Sequence, residues 1–277
     1  MKNFAGEMLM MKRACVFVFS GTGMTSYVVS LIKTEVEKLN LSLDICKIES
    51  VQAQAVFLQD YDIIGIAYPV HSFNAPKIVI DFARQLPQMK NINTFIISTA
   101  GDESQLNSAS SNLLMRILDN KNYNVFYNKQ HIMPSNFITK NTDKIVEQRL
   151  DTARKEAKKT AAAICELITC QETPKLFSKI MAFTGRLEWI GAKRMSKFFY
   201  VDSHCSKCGQ CIKLCPNKNI IAKESIVAEN IIAFNKNCGL CMRCIYICPC
   251  NAIKIRRPFR FFSIGSWYEN KELNKIN

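Results

Sequence analysis

Apolar residues along this 277-residue chain fall into short, nearly unbroken runs separated by stretches with a different period. Ala14-Cys15-Val16-Phe17-Val18-Phe19 is the first such run, and it reads as a strand buried on both faces, as in a parallel sheet. Beyond it, Val28, Leu31, Ile32, Val36 and Leu39 stand at helical intervals. Further strands are expected at Leu43 to Ile48, Asp62 to Tyr68, Thr94 to Ser98 and near Val125, and helices near Lys77 to Arg84 and Asn107 to Leu118. A long helix is predicted from Thr142 to Ile168, with Val146, Leu150, Ala153, Ala157, Ile164 and Ile168 as its apolar stripe. This alternation predicts an α/β, doubly wound domain of five parallel strands over residues 12–170.

The last quarter of the chain has another organisation. Cys205, Cys208, Cys211 and Cys215-Pro216 are followed, 33 positions on, by Cys238, Cys241, Cys244 and Cys248-Pro249. A structural zinc site needs two C-x2-C pairs at longer separation, and disulfides would need a secretory leader, which Lys12 and Arg13 interrupt. The spacing C-x2-C-x2-C-x3-C-P instead lets three thiolates wrap one cubic cluster while the fourth ligates the other. Two 4Fe-4S clusters are therefore expected, one on Cys205, Cys208, Cys211 and Cys248, the other on Cys238, Cys241, Cys244 and Cys215. Cys15, Cys46, Cys165, Cys170 and Cys250 lie outside this rule and read as small packing residues. A reducing, cytoplasmic compartment follows, and no run of about 18 uncharged apolar residues predicts a membrane-spanning helix.

Net charge is +14, but unevenly placed: residues 1–170 hold 19 basic and 16 acidic side chains, residues 171–277 hold 18 and 7. Two clusters at about −2 each would offset about 4 units of the C-terminal excess, leaving about +7. That remainder can attract an acidic redox protein, an anionic lipid surface or nucleic acid, and no nucleic-acid-binding signature accompanies it.

Between the first strand and first helix lies Ser20-Gly21-Thr22-Gly23-Met24-Thr25. Its glycines permit close backbone approach, the helix start offers unpaired amides, and three hydroxyls supply further donors, a combination suited to a phosphate. It is neither a Walker loop nor a G-x-G-x-x-G, because no Lys-Ser/Thr follows and Ser26 stands at the last position. In a doubly wound sheet, ligands sit beyond the strand C-termini where strand order reverses. The second loop there is Tyr68-Pro69-Val70-His71-Ser72-Phe73-Asn74-Ala75-Pro76, and a third is Thr99-Ala100-Gly101-Asp102. Residues 171–203 form a connector with Phe177, Phe183, Trp189, Phe198, Phe199 and Tyr200 interleaved with Lys175, Lys179, Arg186, Lys193, Arg194 and Lys197. It is too apolar for a free linker and reads as a segment docking the two domains on each other, or as a basic amphipathic surface for an external partner.

The S-G-T-G-M-T loop, Y-P-V-H-S-F-N-A-P, I-M-P-S-N at Ile132 to Asn136 and both cysteine motifs resemble the fusion family that joins a flavodoxin-type domain to a bacterial two-cluster ferredoxin in anaerobic bacteria. The resemblance covers residues 12–257; the first ten residues match nothing, and Met10 or Met11 would serve as a start. It implies a flavodoxin-like sheet followed by a small α+β ferredoxin domain at 204–257 and a tail at 258–277. It also implies FMN, with its phosphate at Ser20, Gly21, Thr22, Gly23, Met24 and Thr25. The ring would lie between Tyr68, Pro69, Val70 and His71 on one side and Thr99, Ala100 and Gly101 on the other. Met24 departs from the family, whose loops carry Asn there, though backbone donors are untouched. The expected function is single-electron relay between clusters and FMN; the alternatives are an FMN-dependent reductase of a small substrate such as a quinone, and a redox sensor, for which no output domain is evident.

Overall fold

The computed structural model describes residues 12–51, 58–102, 105–135, 141–171, 173–222 and 232–258. The expectations for the N-terminal start, for Asn136, for Glu172 and for most of the tail lie outside these residues. Strands β1 (Lys12–Val18), β2 (Leu41–Lys47), β3 (Ile63–Pro69), β4 (Ile92–Ala100) and β5 (Tyr123–Ile132) alternate with helices α1 (Met24–Lys38), α2 (Lys77–Gln85), α3 (Asn112–Asp119) and α4 (Asp143–Cys165). All strands are parallel, in the order β2-β1-β3-β4-β5, and a sixth strand, β6 (Cys170–Gln171), pairs with β5 at the edge. The sheet thus has six strands where five were expected. Two residues are too few to show a period, so β6 left no signal in the hydrophobic pattern.

Strands with both faces covered need apolar side chains at every position. β1 shows it: Ala14 to Val18 are all buried, Val16 under α1 and α4 on one face, Phe17 against Phe82 of α2 on the other, ring centroids 4.9 Å apart. The helix expected over Asn107 to Leu118 is broken into a 3₁₀ turn at Gln105–Ala109 and α3. At the break the Ser110 carbonyl accepts from the Ala75 amide, 3.1 Å, and the Ser111 hydroxyl meets the Tyr68 hydroxyl, 2.8 Å, so these groups serve the neighbouring loop instead of a helix. α4 stops at Cys165 because Leu167 is left-handed, φ 55°, and Ile168 is turned outward.

After α5 (Leu176–Gly185) and α6 (Glu188–Met195), the remaining elements are β7 (Phe199–Val201), α7 (Gln210–Lys213), β8 (Ile220–Ala222), β9 (Ile232–Phe234), α8 (Arg243–Tyr246) and β10 (Ile253–Ile255). β7 pairs antiparallel with β10, and β8 with β9. Every element of the first half recurs 33 residues later. The torsions recur too: Lys207, Gly209 and Lys218 have positive φ, and so do Leu240, Met242 and Asn251. The cysteine repeat is therefore a repeat of backbone, not only of ligands.

Candidate functional site

The cysteines separate into two quartets. Cys205, Cys208, Cys211 and Cys248 surround one small cavity of about 20 Å³. Cys211 is pushed up in pKa first by burial and then by Cys205, Cys248 and Cys208, whereas Cys238, Cys241 and Cys244 each feel Cys215. Burial holds the Cys238 thiol at about 12 and Cys244 well above its ordinary value. Among the described residues, no three ligands converge on a single ion; the first quartet is spread around its cavity. The Asn219 amide donates to Cys215 Sγ and the Ala252 amide to Cys248 Sγ, both at 3.2 Å and 33 residues apart, which is how a fold supplies donors to cluster sulfur. The residues fit two cubic clusters with the crossed fourth ligand. Cys208 is exposed, while Cys241 and its neighbours are packed against the sheet domain, so the quartets occupy unlike surroundings. Cys250 is exposed and belongs to neither quartet, and Cys15 meets Cys46 at 3.7 Å inside the sheet domain.

The chain runs from β1 to β2 and then crosses to β3 on the other side of β1, so strand order reverses between β1 and β3. A cavity of about 700 Å³ opens there, within the range of cofactor sites. Ser20, Gly21, Thr22, Met24 and Thr25 form one wall, Pro69, Val70 and His71 another, and Thr99, Ala100 and Gly101 a third. Gly23 makes the turn into α1 at φ 96°. The Ser20 hydroxyl accepts from the Gly23 and Ser26 amides, 3.1 and 3.3 Å, and the Thr25 and Thr99 hydroxyls meet at 2.8 Å, tying the first loop to the third. The first turn of α1 contains no acidic residue, so its amides and dipole stay favourable to an anion. Arg149 of α4 fixes the far wall, donating to the carbonyls of Gly101 and Met133 at 2.9 and 3.0 Å.

Tyr68 is placed elsewhere. Its side chain is fully buried with its hydroxyl on Ser111, and its pKa is pushed up to about 12 by burial, so it belongs to the core beneath the cavity. His71 lines the cavity with its ring edge-on to Phe19, centroids 6.4 Å apart, and burial lowers its pKa to about 4, which keeps it neutral. Residues not assigned to the flavin from the sequence complete the wall: Ser72 and Phe73 of the second loop, Asn107, and Met133-Pro134-Ser135 from the sheet domain, Glu188 and Met195 from the connector, and Leu240, Cys241 and Met242 from the second cysteine loop.

That last group closes the distance between the two sites. A Cβ on Gly21 would lie 2.3 Å from the Cys241 carbonyl oxygen, so only glycine admits the second cysteine loop onto the phosphate loop. Arg243, beside Cys244, donates to the Ser20 carbonyl at 2.8 Å and the Leu214 carbonyl at 3.1 Å and pairs with Glu49 at 2.5 Å in a largely buried setting. The connector docks by the same means: a Cβ on Gly185 would meet the Ser72 carbonyl oxygen at 2.0 Å, and Asn74 donates to the Ala182 carbonyl at 2.6 Å.

The strand order β2-β1-β3-β4-β5 and a crevice at the β1/β3 switch point define a flavodoxin-like domain, and it is joined to a small cysteine-rich domain of the two-cluster ferredoxin type. Residues 197–249 match the 4Fe-4S dicluster domain family. No curated protein matches the chain. Similar solved structures include flavodoxin 2 of Bacillus cereus, 13% identical over 56% of this chain and 99% of that one, TM-score 0.43. A flavodoxin of Megasphaera elsdenii is 15% identical over 54% and 99%, TM-score 0.39. An archaeal flavodoxin is 12% identical over 55% and 98%, TM-score 0.36. The strand order, not these distant likenesses, is the ground for the fold assignment.

Proposed function

We propose that the chain is an electron-transfer protein in which two 4Fe-4S clusters and one FMN form a single intramolecular relay. The supporting observation is the contact of Gly21 with the Cys241 carbonyl, which sets the second quartet against the phosphate loop. When bound, the flavin supplies a two-electron store that exchanges single electrons with one-electron clusters. The chain supplies the arrangement. The phosphate loop and the α1 amides hold the phosphate, and Pro69, Val70 and the Thr99 to Gly101 loop bracket the ring. Neutral His71 keeps charge away from it, and Arg243 locks the second cysteine loop in place. The first quartet, with Cys208 and Lys207 exposed, is the end that an acidic redox protein of the same reducing, cytoplasmic compartment would reach. Among the described residues no helix is long and apolar enough to cross a membrane.

Anaerobically prepared protein should contain about eight iron, eight sulfide and one FMN per chain. After rapid mixing with a one-electron donor, the cluster absorbance should bleach first and the flavin follow. Gly21→Ala should keep iron and sulfide and, once loaded with FMN, slow the second phase about tenfold or more. A flavin that stays oxidised beside reduced clusters would refute the relay. A second reading, an FMN-dependent reductase of a small substrate such as a quinone, is favoured by one observation. A chamber of about 330 Å³, with Glu49, Lys77, Asp81 and Lys193 among otherwise largely apolar walls, adjoins the flavin cavity and shares His71, Glu188 and Cys241 with it. Steady-state turnover of a water-soluble quinone, with electrons fed through the clusters, separates the two.

A further inference from the structure

The connector is built inside out. Along α5, α6 and the turn after them, the fully buried residues are small, Ser178, Ala182, Ala192 and Ser196, with Gly185 packed on Ser72; Glu188, Trp189 and Met195 are the larger side chains turned inward, toward the cavities. The residues turned outward are the large ones: Leu176, Phe177, Ile180, Phe183, Leu187 and Ile190, each between 52% and 76% exposed. Their spacing of three and four continues through the turn at Arg186, so they make one stripe across both helices. Ordinary packing of a docking segment would bury these side chains and expose the small ones. Six such side chains on about 15 consecutive residues far exceed the scattered exposed apolar residues of a soluble surface.

The charge around the stripe selects its occupant. Lys175, Lys179, Lys193, Arg194 and Lys197 are exposed beside it, with Arg186 half-buried. The one acidic residue between Lys175 and Lys197, Glu188, faces the opposite way into the cavities beneath α6. A second copy would bring cation against cation with no acid to pair. A row of exposed aromatic and aliphatic side chains flanked by long basic ones matches an interfacial helix pair whose apolar side sinks to the acyl boundary while the cations meet lipid phosphates. Phenylalanine and leucine supply the burial and lysine and arginine the attraction to anionic headgroups.

We propose that the outer face of α5 and α6 seats this protein on an anionic membrane surface as a peripheral, non-spanning contact. The full chain is mixed with extruded vesicles of phosphatidylcholine, with and without 30% phosphatidylglycerol, and spun down. It should pellet with the anionic vesicles and stay in solution with the neutral ones. Raising salt from 0.1 to 0.5 M should release a large part of it, since the Debye length falls to about half. Phe183→Ser with Leu187→Ser should lower the partition coefficient about tenfold, and Lys193→Ser with Arg194→Ser should do the same on anionic vesicles only, each variant keeping its cluster absorbance. Equal pelleting with both vesicle types, no pelleting, or undiminished binding by both variants would overturn the proposal. So would sedimentation showing that Phe183→Ser with Leu187→Ser abolishes a dimer of the free protein, which would make a second copy the occupant.

Discussion

The sheet domain and the cysteine domain are stabilised in different ways. The first buries apolar side chains on both faces of its sheet, in two large clusters that between them draw on all five long strands and α1 to α4. Among the described residues, the second has one cluster of eight buried apolar residues, Phe199, Cys211, Ile220, Ile232, Met242, Ile245, Ile253 and Ile255, and one of those is a cluster ligand. A core that small falls short of what a domain needs for independent stability, so metal ligation must supply the rest. Hydrophobic patterning specifies one half of the molecule and a ligand set specifies the other.

The sharpest way to break the comparison is Cys244→Ser, at a ligand of the second quartet. Iron should fall from about eight to about four per chain, and residues 199–255 should become open to protease while residues 12–171 stay protected. Cleavage throughout the chain would show that the sheet domain also depends on the clusters. The converse is Ile66→Ala at the fully buried centre of β3. It should destabilise the sheet domain by about 4 kcal/mol in urea and leave iron content unchanged. Arg243→Ala tests the contact itself. It leaves the Glu49 carboxylate largely buried and unpaired, and should reduce the unfolding free energy of the docked state by about 3 kcal/mol.

A smaller effect concerns pH. His131 is buried under α4, its Nδ1 without a partner, and its pKa is lowered to about 4 by burial. The unfolded chain binds that proton near pH 6.5 and the folded chain only near 4, so stability is full at neutral pH and declines as pH falls through that window. By pH 5 the loss should be about 2 kcal/mol, and His131→Phe should flatten the dependence of the urea midpoint between pH 7 and 5 by that amount. An unchanged slope would mean that the imidazole is solvated.

What the sequence disclosed follows the same division. The cysteine quartets were legible because their ligands are local and repeat. The order of strands and helices was legible because strands buried on both faces leave unbroken apolar runs. Tyr68 was misread as a ring contact because the end of a strand does not show from its pattern which face its last side chains take. The alternation along β3 sends Tyr68 into the core, while Pro69 and Val70 line the cavity. The connector's mixture of aromatic and basic residues was visible but not which of them face the protein, since its small and large apolar residues are interleaved. Arg243 had no signal at all: a single arginine between two ligands gains meaning only when Ser20 and Glu49 arrive beside it.

The equivalence of Gly209 and Met242 has a further consequence. Both occupy the left-handed conformation, φ 72° and 59°, at the start of matching helices, and only the first has the residue that this conformation favours. In the second half of the duplication a methionine tolerates the strain, on the order of 1 kcal/mol, and its side chain, almost wholly buried, forms part of the cavity wall. A duplicated unit has thus been broken in symmetry where backbone ease and cavity shape compete. Met242→Gly would restore the symmetry and relax the turn, at the expense of a hole in the partition between the two sites.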